Sequence, residues 1–380
     1  MQFTAEHNIF RNTVRAFVEN ELNPHVDEWE EAGIFPARDV FRKAGELGLL
    51  GIEFDPAYGG GGADHWYTVI LGEEMGRCDA GGPPLAITVQ TDMATPTLAV
   101  HGTHELKQQY LAPALRGELV ASIAVTEPDA GSDVAGLKTY ARRDGDDYVI
   151  NGSKIFITNG VQADFITLLA RTSDEGGSHG MSLIIVPTDS SGFRVSRKLN
   201  KLGNRSSDTA ELSFEDVRVP VTNRIGPEGR GFQLQMQQFQ KERLIVSYAA
   251  IGAMTKALER TVAYVRERKA FGGSLIEKQA IQFTLTELIA EVEMLRHFNY
   301  ACAEALIRGE DVTRLATIGK LKSGRLARRV ADTCLQYHGG LGYMEELWTA
   351  RYFRDSRLQS IGGGTDEIML RILARMDGLE

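Results

Sequence analysis

The sequence predicts an α+β protein that is mostly α-helical, with a helical segment at each end and a strand-rich segment between them. Helical periodicity dominates residues 1–120 and 228–380, whereas short apolar runs separated by Gly, Ser and Asp fill residues 121–227. A chain of 380 residues is long enough for two or three domains. We therefore expect an N-terminal helical domain, a middle barrel or sandwich, and a C-terminal helical bundle with these boundaries.

The N-terminal domain should begin with an amphipathic helix. Phe10 and Val14 belong to a series of apolar residues at helical spacing, and Thr4 is placed to cap the first turn. The glycine-rich run 58–62 predicts either a flexible turn or a phosphate cradle, and no Lys-Ser or Lys-Thr follows it, which favours the turn. Residues 89–95 have the small and polar composition of a pocket wall or of a capped helix start.

The middle domain should consist of short strands. Residues 148–150 and 154–158 are rich in strand-forming types and flank Asn151-Gly152, a strong signal for a two-residue hairpin turn. Four further strands are expected at 165–169, 182–186, 193–195 and 210–214.

The C-terminal domain should be a bundle. Residues 230–269, 277–308 and 311–337 form long periodic segments that are interrupted at glycine-containing breaks. Helices of that length bury their apolar faces by packing side by side.

Composition narrows the class of protein. The net charge of −9 argues against a nucleic-acid surface, and no apolar run approaches the ~20 residues that span a bilayer. The three cysteines are far apart and form no metal or disulfide pattern, which fits a reducing compartment. The chain begins without a basic and then apolar leader, so we expect a cytoplasmic protein.

The stretch 122–136, Ser-Ile-Ala-Val-Thr-Glu-Pro-Asp-Ala-Gly-Ser-Asp-Val-Ala-Gly, is the first candidate site. Pro128 ends regular strand pairing and Gly131 permits positive φ, while Thr126 and Ser132 supply hydroxyls. Such a loop can present donors to a ring edge or a phosphate, although it is neither a Walker loop nor GxGxxG. The alternative is a plain strand-to-loop turn that ends in a helix cap.

Three motifs in order resemble the acyl-CoA dehydrogenase family. The stretch 122–136 is similar to the family's first signature, and 336–346, Gln-Tyr-His-Gly-Gly-Leu-Gly-Tyr-Met-Glu-Glu, with Arg351 and Asp355 beyond it, is similar to the second. Between them lies 268–272, Arg-Lys-Ala-Phe-Gly. The resemblance covers nearly the whole chain. It implies a helical domain, a β-barrel and a four-helix bundle, an FAD cofactor, and α,β-dehydrogenation of an acyl-CoA thioester in fatty acid β-oxidation.

The same resemblance implies where FAD binds. It places the flavin ring against residues of the first signature and of the strand that follows the predicted hairpin, and places the rest of the cofactor against the C-terminal domain. The cofactor-binding residues it implies are Ile123, Val125, Thr126, Ser132, Phe156, Thr158, Arg268, Phe271, Gln279, Gln336, Gly339, Gly340, Thr365 and Glu367.

Several of these positions have other interpretations or depart from the family's pattern. Phe156 stands where Trp is frequent, and its alternation with Thr158 is also ordinary for a strand. The glycines at 339–342 could equally form a helix C-cap. Glu367 stands where Gln is common. The family sets Arg268 and Phe271 against the FAD of a neighbouring subunit, which implies a homotetramer built as a dimer of dimers.

The position of the catalytic base is the main departure from the family's pattern. Most members carry the base in a Tyr-Glu-Gly-Thr run, but here Gly362 and Gly363 replace that Tyr and Glu. Isovaleryl-CoA and long-chain members instead carry a Glu in a Glu-Arg-Leu run, which Glu242 matches. The alternative for Glu242 is an exposed side chain on a charged turn. The chemistry needs one carboxylate beside the substrate α-carbon, so we expect Glu242 to take the proton.

The remaining substrate contacts follow from the same comparison. Arg243 matches a CoA contact, and Gln240 stands where its Asp partner is usual; Ser132 and Gly362 complete the substrate-binding set. The Gly363 backbone N–H can still serve catalysis as a donor to the thioester carbonyl.

Loss of two side chains from the wall at 362–363 predicts room for long or branched acyl groups, and the C-terminal run shows a looser similarity to citronellyl-CoA dehydrogenases. The resemblance implies electron transfer flavoprotein as acceptor. An acyl-CoA oxidase and a catalytically silent acyl-CoA-binding flavoprotein are the alternatives.

Overall fold

The computed structural model describes residues 3–379. The N-terminal part is a cluster of helices around one apolar core that includes Phe35, Phe41 and Leu71. Its α-helices are α1 (Ala5–Phe17), α2 (Val26–Ala32), α3 (Ala37–Glu46), α4 (His65–Met75), α5 (Gly82–Thr88), α6 (Pro96–His101), α7 (His104–Leu106) and α8 (Ala112–Leu115). Between them, π-helical turns cover Val18–Leu22, Val89–Ala94 and Lys107–Leu111.

The first helix begins as predicted. The Thr4 hydroxyl accepts the His7 backbone N–H at 3.3 Å, and the His7 imidazole accepts the Thr4 backbone N–H at 3.1 Å. This reciprocal cap satisfies backbone donors that the first helical turn leaves without a partner.

The glycine-rich run is a turn rather than a phosphate cradle. Its backbone N–H groups are used inside the protein: Gly60 donates to Asp55, Gly61 to Gly51 and Gly62 to Phe54, with N···O distances of 3.2, 2.8 and 2.9 Å. Donors that are already satisfied are not free to bind an anion. The π-helical turn Val89–Ala94 continues directly from α5, so of the two alternatives for residues 89–95 the capped helix start is wrong.

The middle part forms one eight-stranded mixed sheet. Its strands are β1 (Ala121–Ala124), β2 (Tyr140–Asp144), β3 (Asp147–Thr158), β4 (Phe165–Arg171), β5 (Met181–Pro187), β6 (Phe193–Lys198), β7 (Thr209–Pro220) and β8 (Arg224–Ile225). The hydrogen-bonded order is β6-β7-β3-β2-β4-β5-β8, and β1 pairs in parallel with β4. The first signature therefore starts inside the buried strand β1 and continues into the loop that follows it.

The predicted hairpin at Asn151-Gly152 is wrong. Both residues lie inside the continuous strand β3, and the register against β7 shifts between Ile150 and Gly152. Asn151 is held in this bulge because its side chain exchanges hydrogen bonds with Asp216. The chain instead reverses between β2 and β3 at Gly145, which has a φ of +65°.

The C-terminal part is the predicted helical bundle. Its helices are α9 (Gly231–Glu267), α10 (Gln279–Ile307), α11 (Thr313–His338), α12 (Trp348–Ser356) and α13 (Asp366–Met376), and the short strands β9 (Lys269–Ala270) and β10 (Gly273–Ser274) join the first two. Met254, Leu288 and Val330 belong to its core. Helix α9 also packs on α4 and β5, so it borders all three parts. Within residues 3–379, no helix is long and apolar enough to cross a membrane.

Candidate active site

A cavity of about 1020 Å³ opens where the three parts of the chain meet. The loop after β1 and the end of β3 form one wall, and helix α9 runs along another. Residues 354–365, residues 199–204 and the segment between α4 and α6 add to the lining. Most of the lining is apolar, as is usual for a pocket that buries a large organic ligand.

The cavity brings together more than half of the residues that the sequence assigned to the site. From the cofactor set it gathers Ile123, Val125, Thr126, Ser132, Phe156, Thr158 and Thr365, and from the catalytic and substrate sets it gathers Glu242, Arg243, Gly362 and Gly363. Residues from β1, β3, α9 and the C-terminal loop are far apart in sequence, so their convergence on one cavity is a property of the fold.

The wall at Phe156 fits a flat ring. Phe156 has a φ of +62°, which is rare for a bulky residue, and 66% of it is exposed. Both Phe156 and Thr158 line the cavity. Ile123 and Val125 add apolar surface and Thr126 adds a hydroxyl.

Several buried polar atoms of the lining have no hydrogen-bond partner among the described residues. They include Gln359 Oε1, Tyr352 Oη and Arg243 Nε. Buried polar groups are normally paired, so these atoms indicate that a polar ligand completes the site. The apolar wall at Phe156 and the hydroxyls of Thr126 and Thr158 fit a flavin cofactor, and the size of the cavity leaves room for a second ligand.

A buried ion pair between Lys154 and Glu127, which the sequence did not reveal, stabilises the loop of the first signature. Lys154 is fully buried, and its Nζ donates to Glu127 Oε1 at 2.9 Å and to the Val125 carbonyl at 2.8 Å. Glu127 also accepts the backbone N–H groups of Lys138 and Thr139 at 2.6 and 2.9 Å. These contacts hold together the two ends of the loop that carries Thr126 and Ser132. In the sequence, the one sign of this ion pair was a lysine at an inward-facing position of a strand.

Glu242 is a buried carboxylate, and the exposed alternative is wrong. It is 5% exposed, and its Oε1 accepts hydrogen bonds from Gln238 at 2.8 Å and from Gln235 at 3.2 Å. Burial raises the pKa of Glu242 to about 7, against the lowering effects of the two amides and of Arg243. A carboxyl with this pKa can act as a general base near neutral pH.

The charges around Glu242 differ from what the sequence suggests. Lys241 is directed away and pairs with Glu53 at 2.9 Å, so it does not neutralise Glu242. Asp92, in the stretch 89–95 that the sequence assigned to a pocket wall or a capped helix start, lies close enough to raise the pKa of Glu242 further. Arg243 is buried and donates to Thr317 at 3.4 Å. Gln240 is half-buried on α9 and does not line the cavity.

The glycines at 362 and 363 leave an open wall. A Cβ placed on Gly363 would meet nothing within 4 Å, and one placed on Gly362 would meet only Leu358, at 3.6 Å or more. Of the two neighbouring side chains that could fill this space, Leu358 lines the cavity, whereas Tyr343 is mostly exposed and does not.

A second group of predicted residues lies outside the cavity of this single chain. Phe271, which is 96% exposed, occupies the β9–β10 turn. The others in this group are Arg268, Gln279, Gln336, Gly339, Gly340 and Glu367, all on the surface. Their assignment to a cofactor held between subunits stays a prediction.

Asp355 joins the three parts at the edge of the cavity. Its carboxylate accepts the Gly81 backbone N–H at 2.9 Å and the Asn204 backbone N–H at 2.6 Å. The second signature included Asp355, but nothing in the sequence indicated these partners, which lie in the other two parts of the chain.

Comparisons with known proteins identify the same family over nearly the whole chain. Family models match residues 4–118, 122–217 and 229–376, and are described as the N-terminal, middle and C-terminal domains of acyl-CoA dehydrogenase. The mitochondrial long-chain specific acyl-CoA dehydrogenase of Mus musculus is 40% identical over 98% of this chain and 86% of that protein.

Two solved structures share the fold. An acyl-CoA dehydrogenase from Geobacillus kaustophilus is 41% identical with a TM-score of 0.94, covering 98% of both chains. A glutaryl-CoA dehydrogenase from Mycobacterium smegmatis, solved in complex with FADH2, is 29% identical with a TM-score of 0.93, covering 99% of this chain and 95% of that one.

Proposed function

The chain belongs to the acyl-CoA dehydrogenase family, and we propose that it converts a long or branched acyl-CoA to the trans-2-enoyl-CoA with Glu242 as base. As a member of the family it is an FAD-dependent oxidoreductase of fatty acid metabolism. The observation that carries the proposal is the buried Glu242 carboxylate, which faces the cavity that also contains the open wall at Gly362 and Gly363.

Glu242 supplies the proton chemistry. Its carboxylate removes the proton from the substrate α-carbon, and the low polarity around it makes the ionised form a stronger base than an exposed Glu. Gln235 and Gln238 fix the carboxylate through their amide donors. FAD, held against the wall that Phe156 and Thr158 form, would supply the acceptor for the hydride that leaves the β-carbon.

The Gly363 backbone N–H stabilises the negative charge that develops on the thioester oxygen. Removal of the α-proton places negative charge on the thioester oxygen, and a backbone N–H aimed at that oxygen lowers the barrier. Gly363 lines the cavity and its N–H has no acceptor among the described residues. The donor is therefore free for substrate. Arg243, with its unpartnered Nε, is placed to contact CoA.

The shape of the cavity supports a long acyl chain. Beyond Glu242, its α9 wall continues through small residues, Ala249, Ala253 and Ala257, as far as Arg260. A helix rises 1.5 Å per residue, so Glu242 and Ala257, the last of these small residues, are ~22 Å apart along α9. An extended chain advances roughly 1.2 Å per bond, so this length suits a chain of roughly 16 to 18 carbons.

The open wall supports branched chains as well. Because a Tyr and a Glu are replaced by Gly362 and Gly363, a substituent near the β-carbon meets no side chain there other than Leu358. We expect Gly362→Tyr to lower kcat/KM for citronellyl-CoA far more than for palmitoyl-CoA, by ~10-fold or more. Butyryl-CoA as the best wild-type substrate, or unchanged citronellyl-CoA kinetics in the variant, would overturn the wide-pocket proposal.

Anaerobic addition of a panel of acyl-CoA esters tests the function itself. We expect a long-chain or branched ester to bleach the flavin absorbance and to be converted to the enoyl-CoA. Binding without bleaching would instead favour a catalytically silent flavoprotein. Reoxidation by electron transfer flavoprotein, with little peroxide formed in air, separates the dehydrogenase from an acyl-CoA oxidase.

Three further assignments complete the proposal. We propose a homotetramer, because Arg268 and Phe271 lie on the surface, where a neighbouring subunit can bring its cofactor to them. We place the protein in the cytoplasm, because Cys78, Cys302 and Cys334 form no disulfide with one another, as is usual in a reducing compartment. The domain boundaries proposed are 1–120, 121–227 and 228–380.

A further inference from the structure

The loop 362–364 forms part of the reactive wall but has no side chains that could hold it in place. Its three glycines have the greatest backbone freedom of any residue type. Gly363 has a φ of +65° and Gly364 a φ of +98°, so two of the three occupy the left-handed region. The shape of this loop must therefore be fixed by neighbouring elements.

One buried side chain reaches the loop from α11. Lys320 is 1% exposed, and its Nζ donates a hydrogen bond to the Gly364 carbonyl. Within residues 3–379, this carbonyl is the one hydrogen-bond partner of the ammonium, which also makes no ion pair. The nearby Asp366 carboxylate is shared by Arg325 and Arg328 instead.

The rest of the loop is tied at its two ends. The Gly362 N–H donates to the Leu358 carbonyl at 2.9 Å, and the Thr365 hydroxyl accepts the Ile368 N–H at 3.3 Å to cap α13. Between these ties, the contact from Lys320 fixes the peptide group that joins Gly364 to Thr365, and so shortens the untied part of the loop that contains the Gly363 N–H.

The position of α11 makes Lys320 a rigid support. One turn after Lys320, a Cβ on Gly324 would lie 2.8 Å from the Gln359 carbonyl, so the helix backbone packs directly on the segment that leads into the loop. Lys322, two residues along the same helix, is exposed and takes no part in this contact.

We propose that Lys320 is a positioning residue that holds the Gly364 carbonyl and thereby aims the Gly363 N–H at the thioester oxygen. The inference rests on the proposed function. In that reaction the α C–H bond breaks, its proton passes to the Glu242 carboxylate, and the electron pair delocalises onto the thioester oxygen. A donor that is already oriented toward this oxygen costs no rearrangement when the charge develops.

The test isolates proton removal from oxidation. A 3-thia-acyl-CoA has sulfur in place of the β-carbon, so it can lose its α-proton but cannot deliver a hydride. Exchange of its α-hydrogen for deuterium in D2O is followed by mass spectrometry with the holoenzyme. The variants are Lys320→Met, Lys320→Arg and the control Lys322→Met.

We expect Lys320→Met to slow the exchange ~10-fold or more, while flavin content and the Kd of the ester stay within about twofold. Lys320→Arg retains a donor and should recover part of the rate, and Lys322→Met should match the wild type. Unchanged exchange in Lys320→Met, or a loss that follows lost flavin or weaker ester binding, would overturn the positioning role. If the wild type binds the ester but exchanges nothing, the proposed function fails, and this inference fails with it.

Discussion

Gln238 lies one helical turn before Glu242 on α9, and its side-chain amide donates a 2.8 Å hydrogen bond to the Glu242 carboxylate. The same amide is anchored on the N-terminal helices. Its oxygen accepts the Thr97 backbone N–H at 3.1 Å, and its nitrogen also donates to the Met93 carbonyl. The carboxylate is therefore oriented by a group that is itself fixed to a different part of the chain.

This relationship predicts a shift in the pH dependence of flavin reduction. Because burial raises the pKa of Glu242 to about 7 and the base must be ionised, the wild-type rate should rise as pH increases through about 7. The Gln238 hydrogen bond opposes that rise in pKa. Gln238→Leu should therefore move the acidic limb to higher pH, whereas the exposed control Gln237→Leu should not. An unmoved limb in Gln238→Leu would contradict this.

The raised pKa of Glu242 also predicts how stability depends on pH. Its value of about 7 in the folded protein lies above the ordinary 4.5, so folding favours the protonated form. That stabilising contribution is fully present below about pH 4 and is lost as pH rises through about 7. The amide of Glu242→Gln does not ionise, so this variant resembles the protonated form of Glu242 at every pH.

We therefore expect Glu242→Gln to become more heat-stable relative to the wild type between pH 5 and pH 8, by up to about 3 kcal/mol. Thermal unfolding of both proteins at matched flavin content measures this difference. A difference that stays constant, or that favours the wild type at pH 8, argues against a buried ionised Glu242.

The buried pair of Lys154 and Glu127 predicts a large loss of stability. Lys154→Met leaves the Glu127 carboxylate buried without its cation, which costs about 3–5 kcal/mol of unfolding free energy. The loop that carries Thr126 should loosen and flavin should be retained less well. Denaturant unfolding and flavin content measure both effects.

An exposed pair on the same loop provides the control for Lys154→Met. Lys138 and Asp129 lie 3.2 Å apart and are both mostly exposed, so Lys138→Met should change stability little. Equal effects of the two substitutions would show that burial of the Lys154 pair has no special role. The double variant Glu127→Gln with Lys154→Met should recover part of the lost stability.

Arg268 predicts a link between cofactor retention and assembly. It lies on the surface between α9 and α10, beside the exposed Phe271, where a guanidinium can grip a phosphate of a neighbouring subunit's cofactor. Arg268→Ala should lower both flavin content and the tetramer fraction, as measured by absorbance and light scattering. Arg266→Ala, on the last turn of α9, is the control. A fully flavinated tetramer of Arg268→Ala would disprove the assignment.

Local sequence signals predicted most of the fold. The cap at Thr4, the strands after residue 160 and the three long helices depend on periodicity and on neighbouring residues, which sequence displays directly. The hairpin at Asn151-Gly152 failed because a contact with Asp216, far along the chain, holds the pair in a bulge instead of a turn. A tertiary contact outweighed a local preference there.

In the candidate site too, the sequence identified residues that carry a local motif and missed those that depend on distant contacts. Glu242 was identified from its motif and from the absence of a Glu at position 363. The groups that support the site were not, because each acts on a distant partner: Lys154 on Glu127, 27 residues away, and Lys320 on Gly364, 44 residues away. Periodicity and composition contain no information on which buried polar groups will meet.

Anaerobic flavin reduction by Glu242→Gln tests the central claim most directly. The purified holoenzyme is mixed with a long-chain acyl-CoA, and the loss of flavin absorbance is followed beside wild type and the exposed α9 control Glu259→Gln. We predict that Glu242→Gln binds FAD and ester but reduces the flavin ~10²-fold or more slowly, while the control matches wild type. A Glu242→Gln rate close to that of wild type would contradict the assignment of Glu242 as the base.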